Sequence, residues 1–262
     1  MNFSWKDYCP TIFRNLREMF NIDAADYMMS ISGGDGLREL STSGKSGSLF
    51  YVSLDDKFVI KTLRTSELKV LLKMLPSYYN HVKEHENTLV TKFYGLHEIS
   101  VRSGKKVQFV VMGNMFYTQL RIHRRYDLKG SSQGRNTNKD DIREGTTFKD
   151  LDLSYDFHMD KSVRDVLFKL RVQLGVNMPA QANRKVSSQD NSTSTEAELF
   201  EVYDVVLYLG VIDILQGYNT RKKIELAYKS MKHDPMSLSV SDPKFYSERF
   251  YKFLEKVFPP DT

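Results

Sequence analysis

Cysteine is almost absent from this sequence, since Cys9 is the only one among its 262 residues. A single thiol excludes an internal disulfide framework and a zinc site built from several cysteines, and it is typical of a reducing compartment. The six histidines are scattered and never form the HExxH pattern of a metalloprotease. The sequence therefore indicates a fold that needs neither disulfides nor a cysteine-bound zinc ion.

Long apolar runs are also missing. No stretch reaches the roughly 18–20 residues that a membrane-spanning helix needs, and the opening residues MNFSWKDYCPTIF lack the basic start and apolar core of a signal peptide. Any contact with a membrane should therefore be peripheral. The content of 40% hydrophobic and 12% aromatic residues nevertheless predicts a folded core rather than disorder.

Positive charge is concentrated in two stretches, although the formal net charge is only +5. Residues 119–135 and residues 217–232 each hold five basic residues and one acid. Such patches favour an anionic partner, which could be a phosphate group, a nucleic acid or an acidic lipid, and a solvated basic face explains them equally well. The basic residues are Arg121, Arg124, Arg125, Lys129 and Arg135 in the first stretch and Arg221, Lys222, Lys223, Lys229 and Lys232 in the second.

The spacing of the apolar residues predicts three helices. Two are packing helices, over residues 9–20 and over residues 242–258, where apolar side chains recur at helical spacing. The third follows Ser66, a suitable N-cap, and is predicted to stop at Pro76 because proline cannot continue a helix.

Strands are predicted between these helices. Residues 43–63 indicate a glycine-rich turn, a strand, a turn at Asp55-Asp56 and a second strand. Residues 105–116 predict a strand that leaves into a Gly-Asn turn. Residues 183–198 are polar, lack aromatic residues and show no period, so they are predicted to be a linker.

The glycine-rich turn contains Gly44, Lys45, Ser46 and Gly47. The Gly-Lys-Ser triplet resembles part of a Walker A motif, but that motif requires a glycine where this chain has Glu39, so it is excluded. The turn could instead cover the phosphates of a nucleotide, as glycine-rich loops do in kinases, or it could be an ordinary hairpin turn.

Lys61 strengthens the nucleotide interpretation. It follows Val59 and Ile60 in the strand after the glycine-rich turn, which is where protein kinases carry the lysine that touches the nucleotide phosphates. A lysine buried in an apolar strand usually has an anionic partner, because burying an unpaired charge is costly. The alternative is an edge lysine that points to water.

Asp213 ends the apolar run of residues 201–215. An aspartate at the end of an apolar strand is where kinases place a ligand for Mg²⁺, and Mg²⁺ prefers hard oxygen ligands while it bridges phosphates to protein. We therefore predict Asp213 as the metal ligand.

Seven longer motifs identify a resemblance. The sequence is similar to plant phosphatidylinositol-4-phosphate 5-kinases from about Phe3 to Pro260. This resemblance implies an α+β fold of two lobes, the phosphatidylinositol phosphate kinase fold, distantly like protein kinases, with an N-terminal lobe over about 1–118 and a C-terminal lobe over about 119–262. The motifs are WKDYCP, FVVMGNMF, RIHRRYDLKGSSQGR, FKDLDL, GVNMPAQA, DVVLYLGVIDILQ and RKKIELAYKS.

The resemblance also implies the chemistry. The family transfers the γ-phosphate of ATP, with Mg²⁺, to the 5-hydroxyl of phosphatidylinositol 4-phosphate at an anionic membrane surface. It implies a cytoplasmic protein held peripherally at the plasma membrane, with no specific nucleic-acid partner. Met112 and Asn114 in FVVMGNMF would then join the glycine-rich turn and Lys61 as nucleotide contacts.

The segment HRRYDLKGSSQGR, which looks like an interrupted protein-kinase catalytic loop, matches a motif of this family. Lys129 would meet a nucleotide or substrate phosphate as a point charge, Arg135 would contact the substrate, and Asp127 would orient those groups. In RKKIELAYKS, Lys222 and Lys223 would touch anionic headgroups, and Glu225 matches the position associated with a preference for the 4-phosphate substrate. A solvated helix face is the alternative for these two lysines.

The sequence departs from the family at one place. Relatives carry Met-Asp-Tyr-Ser-Leu-Leu between the KDLDL motif and the last strand, and its aspartate is taken as the catalytic base. This chain passes directly to RVQLGVNMPAQA. Met159-Asp160 lies too early and is followed by Lys161, so it does not replace the motif. The C-terminal lobe is therefore expected to be incomplete, and the general base is unassigned.

Three functions follow. The chain could be a lipid kinase that uses a substitute base, for which Asp127 is the candidate, or an inactive remnant that still binds nucleotide and anionic lipid. A nucleic-acid binder ranks last because the stacking aromatic residues and the recognisable modules of such proteins are missing. Nothing in the sequence indicates the oligomeric state.

Overall fold

The computed structural model describes most of the chain, which folds into two compact units. The described residues are 3–32, 36–40, 47–85, 87–101, 104, 106–169, 178–186, 199–217, 220–232, 234 and 237–260. The first unit comprises Met1–Gln119, Arg171–Val176 and Tyr208–Gly217, and the second comprises Leu120–Leu170, Asn177–Leu207 and Tyr218–Thr262.

The first unit is built on a six-stranded antiparallel sheet with the strand order β1-β5-β6-β4-β3-β2. Three helices accompany it. The strands are β1 (Phe3–Asp7), β2 (Leu37–Leu40), β3 (Phe50–Ser53), β4 (Phe58–Leu63), β5 (Phe93–Val101) and β6 (Lys106–Gly113), and the helices are α1 (Pro10–Met19), α2 (Ala24–Ser32) and α3 (Thr65–Glu84).

The sequence pattern explains most of these elements. Helix α1 starts with a proline in its first turn, where no intrahelical N–H is needed, and buries Phe13 and Leu16. The turn predicted at Asp55-Asp56 separates β3 from β4, as expected. The buried side chains of β4, β5, β6, α1 and α3 join in one apolar core.

Helix α3 differs from its prediction at both ends. It begins after Arg64 rather than Ser66, and it continues through Pro76 to Glu84. Proline removes one intrahelical hydrogen bond, but buried residues lie on both sides of it. Packing of this apolar face, which most stabilises helices in proteins, outweighs the local cost. The buried residues are Leu68, Leu71, Leu75, Tyr78 and Val82.

The second unit contains two small sheets. One is antiparallel with the order β11-β10-β9, and the other is a parallel pair, β7-β8. The strands are β7 (Arg125–Asp127), β8 (Thr147–Lys149), β9 (Asp156–His158), β10 (Met178–Val186) and β11 (Leu199–Leu207), and the helices are α4 (Lys161–Lys169), α5 (Thr220–Ser230) and α6 (Pro243–Val257).

Two boundaries here differ from the sequence prediction. Strand β10 includes residues 183–186, which the polarity had placed in a linker. Strand β11 ends at Leu207 instead of continuing to Asp213. The residues that follow belong to the first unit, where Val211 bridges Val90 and Leu215 is buried in the core. An apolar run cannot distinguish a strand from a segment packed in a core, and tertiary packing decides the outcome here. None of the helices in the described part of the chain combines the length and the apolar character that crossing a bilayer requires.

Candidate active site

Lys61 is held by a buried ion pair. Its side chain lies on β4, and its Nζ donates to Oε1 of Glu67 at 2.7 Å. The side chains of Lys61 and Glu67 are only 9% and 13% exposed. The alternative of an edge lysine in water is therefore wrong, and the anionic partner that burial demands is Glu67.

Glu67 was not predicted from the sequence, although its position carried a signal. It lies in the first turn of α3, where an acid is favoured by the helix dipole, and its Oε2 also accepts from the backbone N–H of Arg64 at 2.9 Å. The capping interaction fixes the carboxylate, and the carboxylate fixes the lysine. Protein kinases need such a lysine–glutamate ion pair to position nucleotide phosphates.

The predicted nucleotide loop is described only in part. Gly44, Lys45 and Ser46 lie outside the described residues. Gly47 has φ +65°, a left-handed conformation, and a Cβ atom there would lie 3.2 Å from a guanidinium nitrogen of Arg64. The left-handed conformation favours glycine at position 47.

Met112 and Asn114 stand at the end of β6. Met112 packs against the core of the first unit. The side-chain amide of Asn114 donates to the carbonyl of Asp56 at 2.7 Å, and its backbone N–H donates to the carbonyl of Lys57 at 2.9 Å. Asn114 thus ties the end of β6 to the β3–β4 hairpin, and its role as a nucleotide contact stays a prediction.

Asp213 lies in an irregular segment that is anchored to the first unit. Val211 donates to the carbonyl of Leu89 at 2.7 Å and accepts from the backbone of Thr91 at 3.0 Å. Asp213 itself is exposed and has φ +61°, which is uncommon for a residue with a side chain. Its carboxylate is therefore accessible at the end of a fixed segment.

The donor set fits Mg²⁺ bound through phosphates better than an all-protein metal cage. Mg²⁺ usually keeps several waters and takes one or two carboxylates together with substrate phosphates. In the described ranges, no group of three or more histidine, cysteine, aspartate or glutamate residues could hold a metal ion. The exposed carboxylate of Asp213 can supply the single protein ligand that a Mg²⁺ ion bound mainly by phosphates and waters needs. Its role as that ligand stays a prediction.

In the second unit, Asp127, Lys129 and Arg135 form one charged network with Asp150. Lys129 Nζ donates to Asp127 Oδ2 at 2.8 Å, and Arg135 donates to the same oxygen from its two terminal nitrogens at 3.3 and 3.2 Å. Arg135 also donates to the carbonyl of Asp127. Two cations therefore share the partly exposed carboxylate of Asp127.

Asp150 is the buried centre of this network and was missed by the sequence reasoning. Its Oδ1 accepts from the backbone N–H groups of Lys129 and Gly130 at 2.7 and 2.6 Å, while its Oδ2 accepts from Arg135 Nε at 2.5 Å. The motif FKDLDL, which contains Asp150, was the available signal. Three donors on one carboxylate fix the backbone of the Asp-Leu-Lys-Gly segment.

This pairing makes Asp127 a weak base. Burial by itself would raise the pKa of its carboxyl, but the hydrogen bond and charge of Lys129, together with Arg135, outweigh burial and lower the pKa below its usual value. A carboxylate with a lowered pKa takes a proton less readily. The orienting role for Asp127 that the resemblance implies stays a prediction.

Gly130 allows the Asp-Leu-Lys-Gly segment and helix α6 to pack closely together. It has φ +61°, and a Cβ atom there would lie 3.0 Å from the Cα of Phe250 and 3.2 Å from the Cβ of Phe253, both on α6. Arg249, also on α6, donates to the carbonyls of Leu238 and Lys129. The glycine therefore lets α6 approach the Asp-Leu-Lys-Gly segment and support it.

The RKKIELAYKS motif forms α5, which exposes both charged and apolar side chains. Lys223 is exposed and Lys222 is half-buried. Glu225 lies 2.6 Å from Lys229 and 4.0 Å from Lys222, so its carboxylate is paired within the helix. Three exposed side chains at spacings of four and three residues are largely apolar: Ile224 and Tyr228 on α5 and Met231 directly after its end, which are 65%, 59% and 84% exposed.

The predicted site residues therefore form separate groups. The first unit holds Lys61 with Glu67, together with Met112, Asn114 and Asp213. The second unit brings Asp127, Lys129 and Arg135 into direct contact and carries Lys222, Lys223 and Glu225 on α5.

The comparison with known proteins agrees with these motifs. The family model for phosphatidylinositol-4-phosphate 5-kinase matches residues 31–174 and 171–257. Phosphatidylinositol 4-phosphate 5-kinases 8 and 7 of Arabidopsis thaliana are 48% and 47% identical, over 99% and 100% of this chain and 48% and 49% of their own lengths. Phosphatidylinositol 4-phosphate 5-kinase 1 of Oryza sativa subsp. japonica is 46% identical, over 99% of this chain and 47% of its own length.

The same comparisons reveal an internal gap. The chain spans about half the length of the curated relatives it matches. The alignment with the first of these relatives runs over 368 positions, whereas this chain has 262 residues, so about 100 of those positions have no counterpart here. The two matches to the family model meet at residues 171–174. This is where the sequence passes directly into RVQLGVNMPAQA.

Proposed function

Because this chain belongs to the phosphatidylinositol-4-phosphate 5-kinase family, we propose that it binds ATP and phosphatidylinositol 4-phosphate and carries the residues for phosphoryl transfer to the 5-hydroxyl. The observation that best supports nucleotide binding is the buried ion pair between Lys61 and Glu67. A lysine fixed in this way presents a positive charge at a defined place on the sheet, and phosphoryl transfer depends mainly on positioning and charge stabilisation.

Each remaining residue has a defined task in this proposal. Lys61 binds nucleotide phosphates while Glu67 orients its ammonium group. Asp213 holds Mg²⁺, which neutralises charge on the phosphates when it is bound. Asp150 fixes the backbone around Lys129, and Asp127 directs the Lys129 ammonium group. Arg135 keeps Asp127 ionised and contributes positive charge beside it.

Helix α5 supports the membrane part of the proposal. Lys222 and Lys223 attract anionic headgroups, at about 1 kcal/mol for each lysine near the surface. The exposed row of Ile224, Tyr228 and Met231 can enter the boundary between headgroups and acyl chains, as in other interfacial helices. We propose the cytoplasmic face of the plasma membrane as the place of action.

A second function, binding without efficient turnover, is favoured by a specific observation. The two matches to the family model meet at residues 171–174, and the Met-Asp-Tyr-Ser-Leu-Leu segment, whose aspartate the resemblance gives as the base, is absent from the sequence. Asp127, the substitute candidate, is already paired with Lys129 and Arg135 and has a lowered pKa. We therefore propose that this chain still binds both ATP and phosphatidylinositol 4-phosphate but transfers phosphate slowly.

One set of measurements separates these functions. Calorimetry with ATP and Mg²⁺ measures nucleotide binding, and sedimentation with vesicles that contain phosphatidylinositol 4-phosphate measures lipid binding. Labelled ATP added to the same vesicles measures turnover. Binding of both ligands with slow turnover is expected. Failure of the purified, folded chain to bind ATP would contradict the proposal, whatever the turnover.

A further inference from the structure

Two histidines meet at the end of helix α3, outside the site described above. His81 lies in the last turn of the helix, and His85 is the residue that caps it. Because they are four residues apart, the helical period brings their side chains to the same side of the helix. Their ring centres are 4.8 Å apart, and the ring planes are tilted by 61°. Both residues are half-buried, so solvent reaches the pair.

The separation of the two rings fits coordination of one metal ion. An imidazole nitrogen binds Zn²⁺ at about 2.0–2.1 Å. Two imidazoles on one ion, at the angles of square-planar or tetrahedral coordination, then have ring centres roughly 4.5–5.3 Å apart. The observed 4.8 Å lies within this range. The two histidines also have the spacing of the helical HExxH motif of metalloproteases, although the glutamate of that motif is missing.

Thr88 provides the outer hydrogen bond that metal-binding histidines usually have. Its backbone N–H donates to the carbonyl of His85 at 3.2 Å, and this turn brings its hydroxyl within 2.7 Å of His81 Nε2. The hydroxyl also accepts from the backbone N–H of Val90 at 3.1 Å, which holds it in place. When His81 Nε2 carries the proton and donates to this hydroxyl, Nδ1 of the same ring has the lone pair that a metal ion needs.

The end of the helix favours a positive ion at this place. The last carbonyl groups of a helix lack intrahelical partners and carry the negative end of the helix dipole. Glu84 adds a negative charge in the last turn of α3. Lys83, which is in the same turn, is two residues from each histidine and therefore does not face them.

We propose that His81 and His85 form a binding site for one divalent transition-metal ion of the Zn²⁺ and Cu²⁺ class, which imidazole ligands suit. His81 binds through Nδ1 while its Nε2–H donates to Thr88. Waters complete the coordination, because the described part of the chain provides no group of three or more metal-binding side chains. The site differs in chemistry from Asp213, whose carboxylate suits Mg²⁺. A bound ion links the end of α3 to the segment that leads into β5.

Calorimetry with zinc chloride and the full chain tests the site. At pH 7.5, where imidazoles are mostly neutral, we expect one Zn²⁺ ion per chain and no competition from Mg²⁺. His81→Gln and His85→Gln should each raise the dissociation constant at least about tenfold, because even the loss of an outer hydrogen bond costs about 10–100-fold. Thr88→Val, which removes that hydrogen bond alone, should raise it by about tenfold.

Two further measurements locate the ion. Paramagnetic resonance of bound Cu²⁺ should show two nitrogen ligands in the wild type and one in His85→Gln. Zinc should raise the Tm of the wild type and have little effect on the Tm of His85→Gln, because an ion that binds only the folded chain stabilises it. Circular dichroism verifies that each variant is folded.

The controls remove other potential ligands of the chain. Cys9→Ser and His123→Gln, the latter at an exposed site of the second unit, should bind Zn²⁺ as the wild type does. A wild-type chain that binds no Zn²⁺, or that binds Mg²⁺ equally well at this site, overturns the proposal. Unchanged Zn²⁺ binding in both His81→Gln and His85→Gln, or loss of binding in either control, overturns it as well.

Discussion

The two units of this molecule bury apolar side chains to very different extents. Within the described residues, the connected apolar core lies in the first unit, where it joins β4, β5, β6, α1 and α3. The second unit buries fewer large apolar residues and exposes Val202, Tyr203 and Val206 on its outermost strand. In the first unit Lys61 thus lies beside a connected apolar core and is paired with Glu67, whereas the second unit carries its charged network with fewer buried apolar side chains around it.

This difference between the units indicates that the internal gap affects turnover more than ligand binding. The motif residues Asp127, Lys129, Arg135 and Asp150 keep their mutual hydrogen bonds although the family sequence is interrupted at residues 171–174. Local networks of this kind require only the residues that form them. The chemistry of transfer also requires a base and a packed lobe. Ligand binding should therefore survive in this chain better than turnover.

The largest expected effect concerns turnover. We expect this chain to phosphorylate phosphatidylinositol 4-phosphate about 10²–10⁴-fold more slowly than a full-length relative, because that is the usual contribution of general-base help. Labelled ATP, Mg²⁺ and lipid vesicles give the rate, with folded protein verified by circular dichroism. A rate within tenfold of the relative would contradict this expectation. In that case Asp127→Asn would show whether Asp127 acts as the base, provided that ATP binding is unchanged.

The second prediction tests the first unit through Lys61. Lys61→Met removes a charged contact to phosphate, and we expect ATP binding to weaken by about 1.5–3 kcal/mol, as measured by calorimetry. It also leaves Glu67 buried without its partner, which should lower the free energy of unfolding by about 3 kcal/mol.

A matched pair of variants separates these two effects. In Lys61→Met with Glu67→Leu, the apolar replacement should restore stability, because buried ion pairs can be exchanged for apolar residues at little cost. ATP binding should stay weak. Lys57→Met, which removes a more exposed lysine of the same hairpin, serves as the control. Equal ATP affinity in wild type and Lys61→Met would exclude Lys61 from the site.

The third prediction tests α5 in the second unit. Lys222→Ala with Lys223→Ala should weaken binding to vesicles containing phosphatidylinositol 4-phosphate by about 2 kcal/mol at low salt. Added salt should weaken wild-type binding too, because it screens surface charges. Lys252→Ala with Lys256→Ala, on α6, controls for net charge. If neither added salt nor the double substitution on α5 changes vesicle binding, α5 is not part of the membrane interface.

The sequence predicted the elements whose signals are local. The helical spacing at both ends, the hairpin around Asp55-Asp56 and the strand before Asn114 all appear in the structure. The burial of Lys61 was foreseen as one of two alternatives, and its anionic partner followed from the cost of burying a charge. Motif matching also led to the Asp127, Lys129 and Arg135 cluster.

The sequence could not reveal features that depend on distant contacts. Asp150 matters because residues 129–135 place donors around it, and nothing in its own neighbourhood identifies those donors. For Glu67 the capping position was visible locally, but its pairing with Lys61 on β4 was not. The apolar run that contains Asp213 was interpreted as strand throughout, yet its last part is an irregular segment that hydrogen bonds to Leu89 and Thr91 and the burial of Leu215 anchor to the first unit. Pro76 was taken as the end of a helix because the packing on both sides of it was unknown.

The smallest expected effect is an acid sensitivity of the first unit, which arises at His97. Its Nδ1 lies 2.7 Å from Asp7 Oδ1, and its Nε2 lies 2.8 Å from the hydroxyl of Tyr27. Burial lowers the pKa of His97 below 6.5, and the charge of Arg17 acts in the same direction, while Asp7 opposes them. The neutral ring donates to Asp7 and accepts from Tyr27, so it links β1 and α2 to β5.

The sign of this effect follows from the lowered pKa. The unfolded chain takes up the proton at a higher pH than the folded chain, so stability is fully present above about pH 6.5 and falls as the pH drops below it. The pKa of Asp7 is also lowered: burial alone would raise it, but hydrogen bonds from His97 and Trp5 prevail. A second loss of stability is therefore expected below about pH 3.8.

Trp5 provides the measurement, because it is the only tryptophan and its ring lies 4.9 Å from His97. Its fluorescence during denaturant unfolding should show lower stability near pH 5.5 than near pH 7.5 in the wild type. His97→Gln should reduce this difference, whereas His123→Gln, at an exposed site of the second unit, should preserve it. Tyr27→Phe should cost about 1 kcal/mol at neutral pH, since it leaves a buried ring nitrogen without its donor. An unchanged pH dependence in His97→Gln would assign the acid sensitivity to another group, of which half-buried His81 is the first to examine, because burial lowers its pKa as well.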